Sequence, residues 1–272
     1  MPSRPLILLL ALAVLLLTPA SPAQAHDYWL EFDPLHVAPG GTVGVSLHVG
    51  EDFAAEAHKP MQRDRVVSFR HLRSAGDTDL LPAAVDGASP LARVPVEPGG
   101  HLFGLERNLA RIEMRALKFN RYLKHEGLTA ALDARKRAHE RLRRGRERYT
   151  RHLKAFVQVG DAADGMSTRV LAHRIELVPT QDLATLRPGQ RFAVTVHFEG
   201  APLPGAMVEA FVRPPGGGPP RGQKATSDAQ GRVEFTATEA GAWLVRTVHM
   251  RRCDGCTDAD WESFWAGYSF AL

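Results

Sequence analysis

The sequence predicts a mainly β fold: two β-sandwich domains, the second immunoglobulin-like or prealbumin-like, with a basic helical hairpin inserted in the first. Three observations carry this expectation. Short alternating apolar segments bounded by Gly, Pro and Asp recur in both halves. One stretch, about 113–146, changes to a helical period and crowds its polar face with Arg and Lys. A break near Arg174 to Pro179 then precedes a run of short strands with turn signals at sandwich spacing.

The chain opens with Arg4, an unbroken apolar run over 6–17, and the small-x-small site Ala23-Gln24-Ala25. Those parts in that order describe a secretory signal peptide over 1–25. Its apolar run is shorter than the roughly 20 residues a membrane-spanning helix needs. Cleavage after Ala25 makes His26 the first residue, carrying an imidazole and a free α-amine, two nitrogens able to close on one metal ion. The alternative is that His26 is an arbitrary residue left by the cleavage. Export places the protein in the periplasm.

The first domain spans 26–174. Phe32-Asp33-Pro34 and Ala38-Pro39-Gly40-Gly41 are turn chemistry. In Thr42–Val49 the alternation sets Val43, Val45, Leu47 and Val49 on one face and His48 on the other, so His48 is expected at the surface. Further strands are expected over 65–70 and about 91–96. The period then lengthens. A helix is expected from about Glu113 to His125, with Leu117, Tyr122 and Leu123 on its apolar face and Gly127 as its stop. A second is capped by Thr129, carries Leu132, Ala138 and Leu142, and ends near Gly145. His125, His139 and His152 are expected to face water. Alternation returns from Tyr149 to Gly160.

The second domain spans 175–272. Strands are expected over 191–198, 207–212, 233–235, 241–250 and 263–272, and the Pro/Gly loop 214–220 cannot pair.

Charge narrows the partners. From Arg107 to Lys154 there are 16 Lys and Arg against 5 Asp and Glu. Such a segment coats a solvated helical face or makes weak contact with a membrane surface; export argues against nucleic acid. No phosphate loop, nucleophile elbow or H-E-x-x-H pattern occurs, so no enzyme is predicted.

A second chemical cluster lies at His249-Met250 with Cys253 and Cys256. Imidazole, thioether and thiolate suit Cu(I), Zn(II) or Ni(II). An isolated C-x-x-C pair in an oxidising compartment equally forms a disulfide. A thioredoxin-like role lacks the βαβ context it needs.

Several stretches carry a family resemblance: His26-Asp27-Tyr28-Trp29-Leu30-Glu31 directly after the leader, Phe119-Asn120-Arg121-Tyr122-Leu123-Lys124-His125-Glu126-Gly127-Leu128, Glu147-Arg148-Tyr149-Thr150-Arg151 before Lys154–Gly160, Trp243-Leu244-Val245-Arg246, His249-Met250, and Trp261-Glu262-Ser263-Phe264-Trp265-Ala266. Together they resemble a family of exported bacterial proteins, a domain of unknown function, grouped with the NikM-like extracytoplasmic component of nickel and cobalt uptake. The resemblance implies a periplasmic β-sandwich that binds a transition metal, Ni(II) or Co(II) before Cu, and hands it to a membrane metal transporter. It carries over His26 and His249 as ligands, whereas Cys253 and Cys256 look like an insertion. The competing expectation is an envelope adaptor without metal, marked by an exposed aromatic patch at Trp261 and Trp265.

Overall fold

The computed structural model describes residues 26–272; the expected leader, 1–25, lies outside the described residues. The first half contributes β1 (Asp27–Asp33), β2 (Thr42–Glu51), β3 (Ala54–Lys59), β4 (Val66–Arg73), β5 (Gly76–Asp79), β6 (Ala92–Pro95) and β7 (Gly99–Met114). Two helices follow, α1 (Ala116–His125) and α2 (Thr129–Arg137), and then β8 (Gly145–Val159). The second half adds β9 (Ile175–Pro179), β10 (Arg191–Phe198), β11 (Ala201–Pro202), β12 (Met207–Arg213), β13 (Arg221–Thr226), β14 (Arg232–Thr236), β15 (Ala242–Arg252) and β16 (Trp261–Ala271). The fold is mainly β, as the patterning predicts, and its sheets are open.

The largest sheet has eight strands in the order β13-β12-β15-β16-β8-β7-β4-β5. Its middle pair, β16 and β8, is parallel, from Trp261 opposite Glu147 to Phe270 opposite Phe156. The expected boundary at 174–175 therefore does not cut the sheet: strands from either side of it hydrogen-bond to each other. Because side chains alternate across a strand, the two faces of this sheet can be read off the cores. Leu153, Ala155 and Val157 of β8 pack with Leu30, Phe32, Val43 and Val45 of β1 and β2. On the same face Trp261 and Trp265 of β16 pack under Phe119, Tyr122 and Leu123 of α1. Phe156 of β8 and Phe264, Tyr268 and Phe270 of β16 point the other way, into Leu177, Phe192, Val194 and Val196 of β9 and β10.

Strand β1 lies close against this sheet. A Cβ on Gly267 would sit 3.3 Å from the Tyr28 carbonyl oxygen, so glycine permits the approach of β1 to β16. The Ser269 hydroxyl donates to the Leu30 carbonyl across the same contact. The other side of β1 is covered too: Trp29 packs with Phe53, Phe211 and Leu244.

Several expectations change. His48 is buried, stacked on Trp29 and 4.2 Å between centroids from His58, because the face opposite Val45 is also covered. His152 is buried on β8 and does not face water, whereas His125 and His139 are exposed. Strands run further into 113–146 than expected, to Met114 and from Gly145. The second helix stops early, where His139 takes a left-handed φ of 54°. There the buried Arg135 guanidinium donates to the carbonyls of Glu140 (2.8 Å) and Arg143 (2.6 Å), closing a turn in place of helix. Leu117 and Leu142, expected on apolar helix faces, are 75% and 87% exposed. Trp261 and Trp265 are core residues, so no exposed aromatic patch forms at them.

A buried ion pair stitches the second half to the first. Lys154 Nζ donates to Glu176 Oε1 at 2.8 Å and to the carbonyls of Arg169 and Leu177. Glu176 also accepts the backbone N–H of Leu171 and His173. Removing one partner strands the other charge in the interior, which costs about 3–5 kcal/mol, whereas exposed pairs contribute under about 1 kcal/mol. Lys154→Met is therefore expected to lose about 3–5 kcal/mol in urea denaturation, and Arg221→Ala, at the exposed Arg221–Glu239 pair, under about 1 kcal/mol. Equal losses would contradict the assignment.

Candidate functional site

The first residues of β1 reach a gap between the eight-stranded sheet and α1. Asp27, opposite Gly50 on β2, points at Arg246 on β15. Arg246 is buried among three carboxylates: Asp27 Oδ1 at 3.0 Å, Glu126 Oε2 at 2.7 Å, and Glu209 on β12. Alternation explains the meeting, because Glu209 and Arg246 are register partners. Gly127, at φ 65°, ends α1 and leaves Glu126 beside them.

Lys224 also pairs with Glu209, so three carboxylates face two fixed cations. Burial is the largest influence on Asp27 and pushes its carboxyl up to about 7, against the pull of Arg246 and with the push of Glu126 and Glu209. Burial also pushes Glu126 up, but the His125 hydrogen bond and the Arg246 charge hold it below the usual carboxylate range. Asp27, Glu126 and Arg246 of this cluster line a groove of about 700 Å³, together with Met114, Leu117 and Tyr122 and with Glu51 and Asp52.

Beside the groove lies a cavity of about 80 Å³ lined by His26, Tyr28, Glu147, Tyr149, Arg151 and Trp265. His26 Nδ1 faces Glu56 Oε2 on β3 at 3.3 Å. Arg151 Nη2 donates to the His26 carbonyl at 3.1 Å, and its guanidinium lies over the Tyr28 ring at 4.0 Å, which fixes where β1 begins. Glu147 is buried. Its Oε1 accepts the hydroxyls of Tyr122 (3.0 Å) and Ser263, and its Oε2 has no hydrogen-bond partner. Burial pushes Glu147 up to about 7, against the hydroxyls of Ser263 and Tyr122 and the charge of Arg151.

The residues singled out in the sequence separate. His249 lies on the opposite face of the sheet from His26, its ring against Phe198 of β10 at 4.5 Å between centroids. Odd positions of β15 share the face of Trp243 and Val245, whereas Arg246 points to β1, so His26 and His249 cannot share an ion. Cys253 and Cys256 are joined in a disulfide, which removes their thiolates as ligands.

Two histidine groups were not anticipated. His71 and His101 form a buried chain: His101 Nε2 is 2.9 Å from the Glu97 carbonyl and its Nδ1 is 2.8 Å from His71 Nε2. Every nitrogen in that contact is already used. Across the sheet Glu106 stands between His152 (Nδ1 to Oε2, 3.2 Å) and His173 (Nε2 to Oε1, 3.7 Å). Each imidazole meets a different oxygen, so the carboxylate bridges the two rings and the donors do not converge on a point. Burial holds His173 down at about 4. Among the described residues no group of three or more His, Cys, Asp or Glu side chains is set to hold a metal ion, and no helix is long and apolar enough to cross a membrane. A sequence signal for the Glu106 group existed in the alternation of Glu106 with Phe103 and Leu105, which marks its face as opposite to theirs.

Residues 23–251 match the family described as Domain of unknown function (DUF4198), and the chain belongs to that family. The match ends before Cys253. No curated protein matches the chain.

The raised Glu147 carboxyl has a pH signature. Its folded-state value of about 7 lies above the ordinary 4.5, so the folded state holds the proton more tightly, and stability falls as pH rises from about 4.5 to 7. With chelator present, Glu147→Gln should match the parent protein near about pH 4 and exceed it by on the order of 3 kcal/mol near about pH 8, in denaturant titrations at the two values. A constant difference at both would contradict the assignment.

Proposed function

Starting from that family membership and the surroundings of His26, we propose that this is a periplasmic transition-metal-binding protein, not an enzyme, whose site forms at a mature N-terminus created by cleavage after Ala25. The observation that carries the reading is the direction of the His26 ring. Nδ1, the imidazole nitrogen able to close a chelate ring with the α-amine of the same residue, is the one facing Glu56 at 3.3 Å. Amine, Nδ1 and the Glu56 carboxylate make two nitrogens and one oxygen, a donor set that borderline divalent ions accept. The amine exists only after cleavage, which is why side chains alone do not complete the set. Glu147 Oε2, unpartnered in the cavity that His26 lines, supports a fourth donor. Nickel or cobalt is favoured over copper on the kinship with nickel and cobalt uptake components that the sequence motifs suggest. On the same ground, delivery to a membrane metal transporter is the role proposed for the loaded protein. Neither His249 nor the disulfide takes part.

Protein beginning at His26 is expected to bind one Ni(II) or Co(II) in isothermal titration. A single added N-terminal residue should weaken binding by at least about tenfold, because it converts the amine to an amide and opens the chelate ring. Glu56→Gln should weaken it as well, and His249→Ala should leave it unchanged. Equal affinity with and without the added residue would remove His26 from the site.

A further inference from the structure

The mouth of the 700 Å³ groove exposes apolar and basic side chains together. Leu117 and Leu142 are the most exposed large apolar residues among the described residues, at 75% and 87%. They are far apart in sequence yet line one groove, because α1 and the turn before β8 fold against each other. Single surface leucines need no explanation. This pair is different in its setting. Arg115, Lys118 and Arg121 line the same wall, and Lys124 and Arg141 stand nearby on the adjoining surface. Among the described residues no carboxylate forms an ion pair with any of these five cations, although Arg111, Arg143 and Arg144 of the same basic segment are all paired. Five cations without an ion pair thus stand around the protruding leucines, while Lys136 and Arg137, also without one, lie further along α2. Glu51 and Asp52 lie on the far wall, so the approach of an anionic partner is restricted to the helical side.

The geometry points to an anionic phospholipid bilayer as the partner of this face, with Leu117 and Leu142 entering the headgroup boundary and Arg115, Lys118, Arg121, Lys124 and Arg141 set against the lipid phosphates. Charge complementarity selects it: a surface of repeated negative headgroups over an apolar interior matches two apolar prongs inside a ring of free cations. A second copy of this chain would bring the same cations face to face. The contact does not depend on metal at His26.

The test is sedimentation of the full mature chain with vesicles, in EDTA so that metal plays no part. Vesicles of equal parts phosphatidylglycerol and phosphatidylcholine should bring the protein down, and vesicles of phosphatidylcholine alone should not. Binding should vanish in about 1 M NaCl, where screening is nearly complete. Replacing Arg115, Arg121 and Lys124 by Gln should cut partitioning by about a hundredfold, and Leu117→Ser with Leu142→Ser by at least about tenfold. All five of these residues are exposed, and unchanged thermal unfolding of both variants verifies the fold. Equal partitioning onto both vesicle types, none onto either, or no effect of the substitutions would overturn the proposal. So would a dimer in analytical ultracentrifugation that the Leu variant abolishes, since it would make a second copy the occupant.

Discussion

The parallel pairing of β16 with β8 is the constraint on which the rest of the structure depends. Two parallel neighbours need a long connection to return the chain to the same end of the sheet. Here the return is made by β9 to β15, so most of the second half of the chain is itself the crossover. With Trp261 opposite Glu147, the odd positions of both strands face β1 and the helices, and the even ones face β9 and β10. One register thereby decides which residues meet on either face of the sheet.

Each face then has its own buried charge. On one side Lys154 and Glu176 satisfy one another and four backbone groups. On the other, Arg246 meets three carboxylates, and burial beside Glu126 and Glu209 pushes the Asp27 carboxyl up to about 7. A slip of β15 by one residue would turn Arg246 into the apolar layer around Trp243 and Val245, where nothing neutralises it. The ionic groups are thus specific to one pairing, beyond whatever stability they add.

Much of this was legible in the sequence. Turn residues and runs of apolar side chains placed β2, β10, β12, β14 and β15 closely, because each has a Gly or Pro near its end, and β16 was placed by its aromatic residues. The long strand β7 was missed, because Leu102, Phe103 and Leu105 are apolar on both faces and read as no period at all. The same double coverage hid His48. The site was legible only at His26. Pairing it with His249 failed because alternation along β15 tells which residues share a face, but not which face β1 will cover. Arg246 and Glu147 were quoted for resemblance and not for charge; a lone buried cation with three acidic partners leaves no local spacing to find.

Position, more than residue type, makes the start of β1 chemically distinctive. The first residues of a chain usually fray, and a ligand on a frayed end pays its ordering entropy on binding. Here Asp27 is fixed to Arg246, the His26 carbonyl accepts from Arg151, and Arg151 is itself held over Tyr28 and Tyr149. These contacts set the backbone of His26 and leave its ring facing Glu56; under the proposed cleavage after Ala25 the amine would stand on the same fixed residue. Supporting contacts of this kind orient donors rather than supply them. An ion held there would lie beside Glu147, which lines the same cavity and whose carboxyl is pushed up to about 7. Positive charge nearby favours the ionised carboxylate, so on the proposed reading occupancy would be coupled to proton release from Glu147, and the desolvation that burial imposes on it would become part of the affinity.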